Sequence, residues 1–230
     1  MKMRYFITGL IVFLTGVIIY LYPMIQDKYT QHRQEKMVDE VRDEIYEQIM
    51  SGNLGKDDND DKKEDSNTQS ENDFVEMELQ QEDTQIDYIE SDDENLKGQK
   101  IIGIVEIKKI EAIYPIVEGT NKDNLHVAIG HMEKTSGIGK KGNCAIAGHR
   151  GGVLGLFFKK LHLLENGDII ELTDLNGRIH KYEVYDSFVV EPTRMDVTYN
   201  NDPYEKTVTL ITCEDNGTKR LIVKGKYVED

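Results

Sequence analysis

From residue 99 onward the chain repeats one texture, short runs of β-branched and aromatic residues each closed by a turn signal. The runs are "KIIGIVEIKKI", "AIYPIVEG", "LHVAIGHM", "NCAIAGH", "DIIELTDLNG", "RIHKYEVYDSFVV", "KTVTLITC" and "RLIVKGKYV", eight candidate strands in all. Only "VLGLFFKKLHLL" (153–164) reads as a helix, and "DLNGRIHKYEV" reads as a hairpin around Asn176-Gly177. Many short strands with so little helix exclude a layered α/β fold and leave a mainly β domain, closed as a barrel or stacked as a sandwich. Residues 99–230 suit one hydrophobic core.

What precedes this domain is built differently. Residues 5–25, "YFITGLIVFLTGVIIYLYPMI", carry no charge, and as a helix they reach roughly 30 Å, the thickness of a bilayer core. No small-x-small cleavage site follows, and Tyr20 and Tyr22 suit a membrane interface, so the expectation is an uncleaved transmembrane anchor with residues 1–4 as its tail. The basic residues flanking the run do not decide its orientation. Over 26–50, Met37, Val41, Ile45 and Ile49 recur every four residues, which predicts a membrane-proximal helical stalk. Residues 51–98 carry 4 basic and 17 acidic side chains with few apolar ones, the composition of a disordered, self-repelling linker. That linker is expected to give reach and to be dispensable for catalysis.

The net charge of -15 therefore belongs almost wholly to the linker, and the β domain is electrically balanced. It has no basic stripe, so nucleic acid is excluded as a partner. "DDNDDKKEDSNT" alternates acidic positions, but Lys62 and Thr68 stand where a calcium loop needs Gly and Glu. Glu133, Asp196 and Glu205 are ordinary surface carboxylates, and neither a metal nor another cofactor is expected.

The chemistry-bearing candidates sit in "TVTLITCEDNGTKRLIVKGKYV". Cys213 closes one strand and Arg220 opens the next, so a hairpin would set a thiol beside a guanidinium on a rigid base. Cysteine acyl transfer needs a thiolate, an imidazole to move the proton and a donor for the oxyanion. Among six histidines, His149 in "CAIAGHRGG" ends an apolar strand before a flexible loop, and His131 in "GHM" is the next candidate. Cys144, alternating within an apolar strand, reads as a buried small hydrophobe. A Cys144–Cys213 disulfide is the rival, and would make the domain a non-catalytic, membrane-tethered binding module.

"TLITC" with Arg220 seven residues after Cys213, and "NCAIAGHR" upstream, closely resemble the sortases, membrane-anchored cysteine transpeptidases of Gram-positive bacteria. The resemblance spans about residues 100–228 and implies an eight-stranded sortase-type β-barrel with one or two short helices. It implies His149, Cys213 and Arg220 as the catalytic set, with His131 secondary. It further implies an extracytoplasmic domain that cleaves LPxTG-like sorting signals of exported proteins and passes the thioacyl intermediate to a cell-wall amine, such as a peptidoglycan precursor. Thr212 is expected to help place the substrate. Val190, Pro192 and Met195, around the connection before the cysteine strand, are expected to take the apolar part of the signal. The short connection and the absence of an Asp-Pro-aromatic lid before the barrel point to class D or class A.

No helix N-terminus stands under Cys213 to favour a thiolate, so the resting site is expected to hold a neutral thiol and a neutral His149. Alkylation of Cys213 followed against pH tests this: modification should be slow at about pH 5 and accelerate as the solution becomes alkaline.

Overall fold

The structure, a computed structural model, describes residues 2–51, 88–90, 95–151, 157–200, 202, 204–214 and 217–229. Nine strands appear among them: β1 (Ile89–Glu90), β2 (Lys100–Ile107), β3 (Ala112–Glu118), β4 (Ile129–His131), β5 (Gly142–Ala147), β6 (Ile169–Asp174), β7 (Ile179–Val190), β8 (Lys206–Glu214) and β9 (Lys219–Tyr227). Their order is β1-β2-β3-β4-β5-β8-β9-β7-β6, and a further β2–β6 pairing closes β2 to β9 into an eight-stranded barrel with β1 added at the side. The ladders are antiparallel except β3–β4 and β5–β8. The expected β6–β7 hairpin forms across Asn176-Gly177, where Gly177 N–H donates to Asp174 O.

Strand β2 explains its own sequence. "KIIGIVEI" alternates between two hydrophobic environments: Val105 and Ile107 enter the barrel core, while Ile101 and Ile104 join a second cluster outside it. A strand covered on both faces reads as a nearly continuous apolar run. The run is interrupted at Gly103, where the register shifts and where a Cβ would stand 2.3 Å from Thr173 O. Only a residue without a side chain lets β6 approach there.

The outer cover is the first helix, α1, which runs unbroken from Lys2 to Ser51. Its stripe of Met37, Val38, Val41 and Ile45 is buried against the outer faces of β2 and β3, together with Ile89 and Leu96. Arg42 reaches Glu106 of β2 at 3.5 Å. The helix expected over 26–50 is present, and its Met37–Ile45 stripe packs on the body of the domain, because the barrel carries an apolar outer face that this stripe helps to cover. The expectation of a wholly disordered 51–98 segment is corrected at its far end, since Ile89 pairs with Ile101 and Leu96 is buried. Residues 52–87 and 91–94 lie outside the described residues.

Two local expectations also change. The first three residues of "LHVAIGHM" are helix, the end of α2 (Lys122–Val127), because Asn121 caps it by accepting from Asn124 N–H at 2.9 Å. The helix is the crossover that parallel β3–β4 pairing requires. In the stretch expected as a helix over 153–164, residues 157–160 form turns and Leu161–Leu163 a 3-10 turn. Phe158, Leu161 and Leu164 are buried at a spacing of three, which suits that tighter winding. Residues 153–156 lie outside the described residues.

No helix among the described residues is long and apolar enough to cross a membrane. In the uncharged run, side chains are described for 13–22, and all of them are exposed, Phe13, Ile18 and Ile19 among them.

The docked stripe makes a stability prediction. Ile45→Ala should lower the unfolding free energy by about 2–5 kcal/mol, whereas Tyr46→Ala, on the exposed side, should change it by less than about 0.5 kcal/mol. Urea denaturation of the detergent-solubilised chain measures both.

Candidate active site

Sheet register brings the three sequence candidates into one row. Parallel β5 and β8 align Ala147 with Ile211. Beyond the strand end Gly148 N–H donates to Ile211 O at 3.0 Å, which continues that register and sets His149 level with Cys213. On the other side Cys213 pairs with Arg220, and Arg220 in turn pairs with Val190. Paired residues in adjacent strands project to the same side of a sheet.

That side is the outer one. Cys144, Ile146, Val208, Leu210, Leu221 and Val223 all enter the barrel core, so the alternate positions His149, Cys213 and Arg220 face away from it. Cys213 and His149 are both partly exposed. Arg220 is half-buried, and its Nη1 donates to Gly217 O and Lys219 O at 2.9 Å each, which hooks the guanidinium over the β8–β9 turn.

Several contacts fix the backbone that carries His149. Thr212 Oγ1 donates to Gly148 O at 2.8 Å, and Phe158 N–H donates to His149 O at 2.9 Å. Gly148 must be glycine: a Cβ there would stand 2.8 Å from both the Phe158 ring and Ile129 Cγ2. One residue beyond this row, Arg150 pairs with Glu214 and ties the ends of the two parallel strands. Burial holds the His149 imidazole below its ordinary value, and the neighbouring His126 of α2 adds like-charge repulsion in the same direction. A neutral His149 can accept a proton from a thiol. The Arg150–Glu214 tie escaped the sequence reading, although each partner directly follows a candidate residue in the chain.

Along the same face, below Cys213, Ala147 and Ile211 are half-buried and give an apolar floor. Further down, Asn143 Oδ1 accepts from Thr207 and Thr209, while its Nδ2 donates to Thr198 O at 2.7 Å. This binds the β7–β8 connection across β5, with the 3-10 turn Met195–Thr198 at its middle. The sequence candidates fall around it: Val190 at the end of β7 in line with Arg220, and Pro192 and Met195 exposed on the connection. Thr212 does not share the outer face. It is 2 % exposed and committed to Gly148, so its hydroxyl acts on the His149 backbone.

The disulfide alternative is overturned. Both cysteines are free, Cys144 buried on the core side and Cys213 partly exposed on the other. Among the described residues no group of His, Cys, Asp and Glu is arranged to hold a metal ion. Asp196 pairs with Arg194 and Glu205 with Lys226.

His131 is structural. It is fully buried, with Nδ1 at 2.8 Å from Glu118 Oε2 and Nε2 at 3.0 Å from Ser136 O and 3.1 Å from Thr135 Oγ1. Thr135 already gives its proton to Met132 O, so every neighbour of the ring nitrogens accepts and both nitrogens must donate. Burial opposes that charge, yet Cys144 and Glu118 outweigh it and push the imidazole up to about 10. A folded value raised from 6.5 gives stability that is complete below that pH and is lost as pH rises toward 10. The melting temperature should therefore fall across this window, and His131→Gln should start lower and fall less.

Known proteins share this fold and sequence. The sortase domain profile matches residues 105–228. Sortase D of Bacillus subtilis (strain 168) is 33 % identical over 131 residues, covering 55 % of this chain and 63 % of its own length. Sortase A of Bacillus anthracis is 31 % identical over 147 residues, covering 63 % of this chain and 68 % of its own. A solved Sortase D5 transpeptidase of Clostridium perfringens is 39 % identical with a TM-score of 0.52, covering 56 % of this chain and 79 % of that one. With the profile spanning more than half of its length, the chain belongs to the sortase family.

Proposed function

We propose that the protein is a membrane-anchored sortase, a thiol transpeptidase acting on LPxTG-like sorting signals of exported proteins. The observation that carries this reading is the single outward-facing row of His149, Cys213 and Arg220, set by β5–β8–β9 register. Membership of the family supports the reaction class.

The steps follow from that row. His149 takes the Cys213 proton, and Sγ attacks the Thr carbonyl carbon of the signal. Arg220 faces the carbonyl oxygen as negative charge develops there. The C–N bond breaks, His149 gives the proton to the departing amine, and a thioacyl enzyme remains. An incoming amine, from a peptidoglycan precursor or another wall component, attacks the same carbon. His149 accepts its proton, the C–S bond breaks, and the thiol is restored. The apolar floor of Ala147 and Ile211, with Val190, Pro192 and Met195 beside it, suits the Leu-Pro part of the signal.

The anchor reading rests on the uncharged run 5–25 and on its exposed apolar side chains at 13–22. It gives a single-pass cell-membrane protein with the barrel outside. Class D is favoured over class A, supported by 33 % and 39 % identity to the two class D relatives.

Mass spectrometry of the purified chain with LPxTG-type peptides tests the reading. A thioacyl adduct should form on Cys213, be absent in Cys213→Ala, and form at least about a hundredfold more slowly in His149→Ala. Peptide cleavage that persists in Cys213→Ala would overturn it.

A further inference from the structure

The first helix crosses the barrel in a definite direction. Arg42 meets Glu106, near the C-terminal end of β2. Ile49, two turns later, lies against the β6–β7 turn, where a Cβ on Gly177 would stand 3.1 Å from Ile49 Cδ1. That turn lies past the other end of the β2–β6 ladder, in which Asp174 pairs with Gly103 and Glu171 with Glu106. From Arg42 to Ile49 the helix rises about 10 Å, and from Glu106 to Gly103 the strand covers about 10 Å. The helix therefore runs antiparallel to β2, and its N-terminal part leaves the barrel past the C-terminal end of that strand.

Register identifies this rim. β3 is antiparallel to β2 and parallel to β4, while β5 is antiparallel to β4 and parallel to β8. β2, β5 and β8 thus point the same way, and their C-terminal ends share one end of the barrel. Cys213 lies at the end of β8, His149 just past β5, and Arg220 at the start of antiparallel β9. The helix leaves the barrel at the end that carries the reactive row.

Among the helix residues whose side chains are described, Met37 is the first one buried, and Glu35 and Lys36 before it are exposed. From Lys36 back to Ile25, where the uncharged run ends, eleven residues of continuous helix span only about 17 Å. Among the described residues, three lysines near this rim are already matched by carboxylates: Lys108 is paired with Glu171, Lys109 with Glu165 and Asp168, and Lys160 with Glu111. Helix docking, not adsorption, sets its height.

We propose that the barrel end carrying Cys213, His149 and Arg220 faces the membrane at this short distance, so that the peptides and amines it joins are those tethered at the lipid surface. This rests on the reading of 5–25 as a membrane anchor. The acidic stretch after Ser51 is then not the spacer between membrane and barrel, because the chain has already docked before reaching it.

Energy transfer in vesicles tests the orientation. The full chain, in a Cys213→Ala background that leaves only the buried Cys144, is labelled at Lys109→Cys on the reactive end or at Asn176→Cys on the opposite end. It is then reconstituted into phosphatidylcholine–phosphatidylglycerol vesicles with a headgroup-labelled acceptor lipid. The expected result is that the protein floats with the vesicles and transfer is stronger from Lys109→Cys. Flotation with equal or stronger transfer from Asn176→Cys overturns the orientation and leaves the anchor standing. Failure to float overturns the anchor, and the orientation with it. Matching denaturation midpoints for the two labelled variants establish that both are folded.

Discussion

The site depends on one parallel pairing, that of β5 with β8. Parallel neighbours run in the same direction, so both strands end at the same rim, and a residue just past one stands level with a residue near the end of the other. His149 and Cys213 occupy those positions. A hairpin alone would have given Cys213 and Arg220 without an imidazole. The Gly148–Ile211 hydrogen bond extends the register, and the Thr212 hydroxyl secures the same backbone from the core side. Removing the glycine would drive a Cβ into Phe158 and Ile129 and move the histidine away from the sulfur.

The same strands separate structural from reactive chemistry by parity. Cys144 and Cys213 lie on neighbouring strands and differ in little but the face they occupy. Cys144 joins the core beside the buried His131–Glu118 pair, while Cys213 meets solvent and a partly exposed histidine. Two cysteine–histidine neighbourhoods therefore coexist in one small barrel. The buried one is held charged by acceptors on both ring nitrogens, and the exposed one is kept neutral by partial burial and a like-charged neighbour.

Much of this was legible before any coordinates. The β texture from residue 99, the hairpin at Asn176-Gly177, and the pairing of a strand-end cysteine with an arginine seven residues later are local patterns, and local patterns survive in sequence. The segment containing Leu161 was not legible: Gly155 and the spacing of Phe158, Leu161 and Leu164 admit both an α-helix and a tighter turn, and the barrel mouth selects the turn. The bond of Thr212 to Gly148 O was not legible either. Its position next to Cys213 suggests substrate contact, yet adjacent strand residues face opposite sides.

The amino-acid sequence by itself determined the class of fold, the strand-end cysteine with its arginine seven residues on, and the apolar stripe at Met37, Val41 and Ile45, because periodicity and spacing along the chain encode each of them. Tertiary structure alone decided what that stripe meets, which histidine stands level with Cys213 at the strand ends, and toward which end of the barrel the first helix departs. Those outcomes depend on the order and direction in which strands far apart in the chain pair, and no local pattern carries that information.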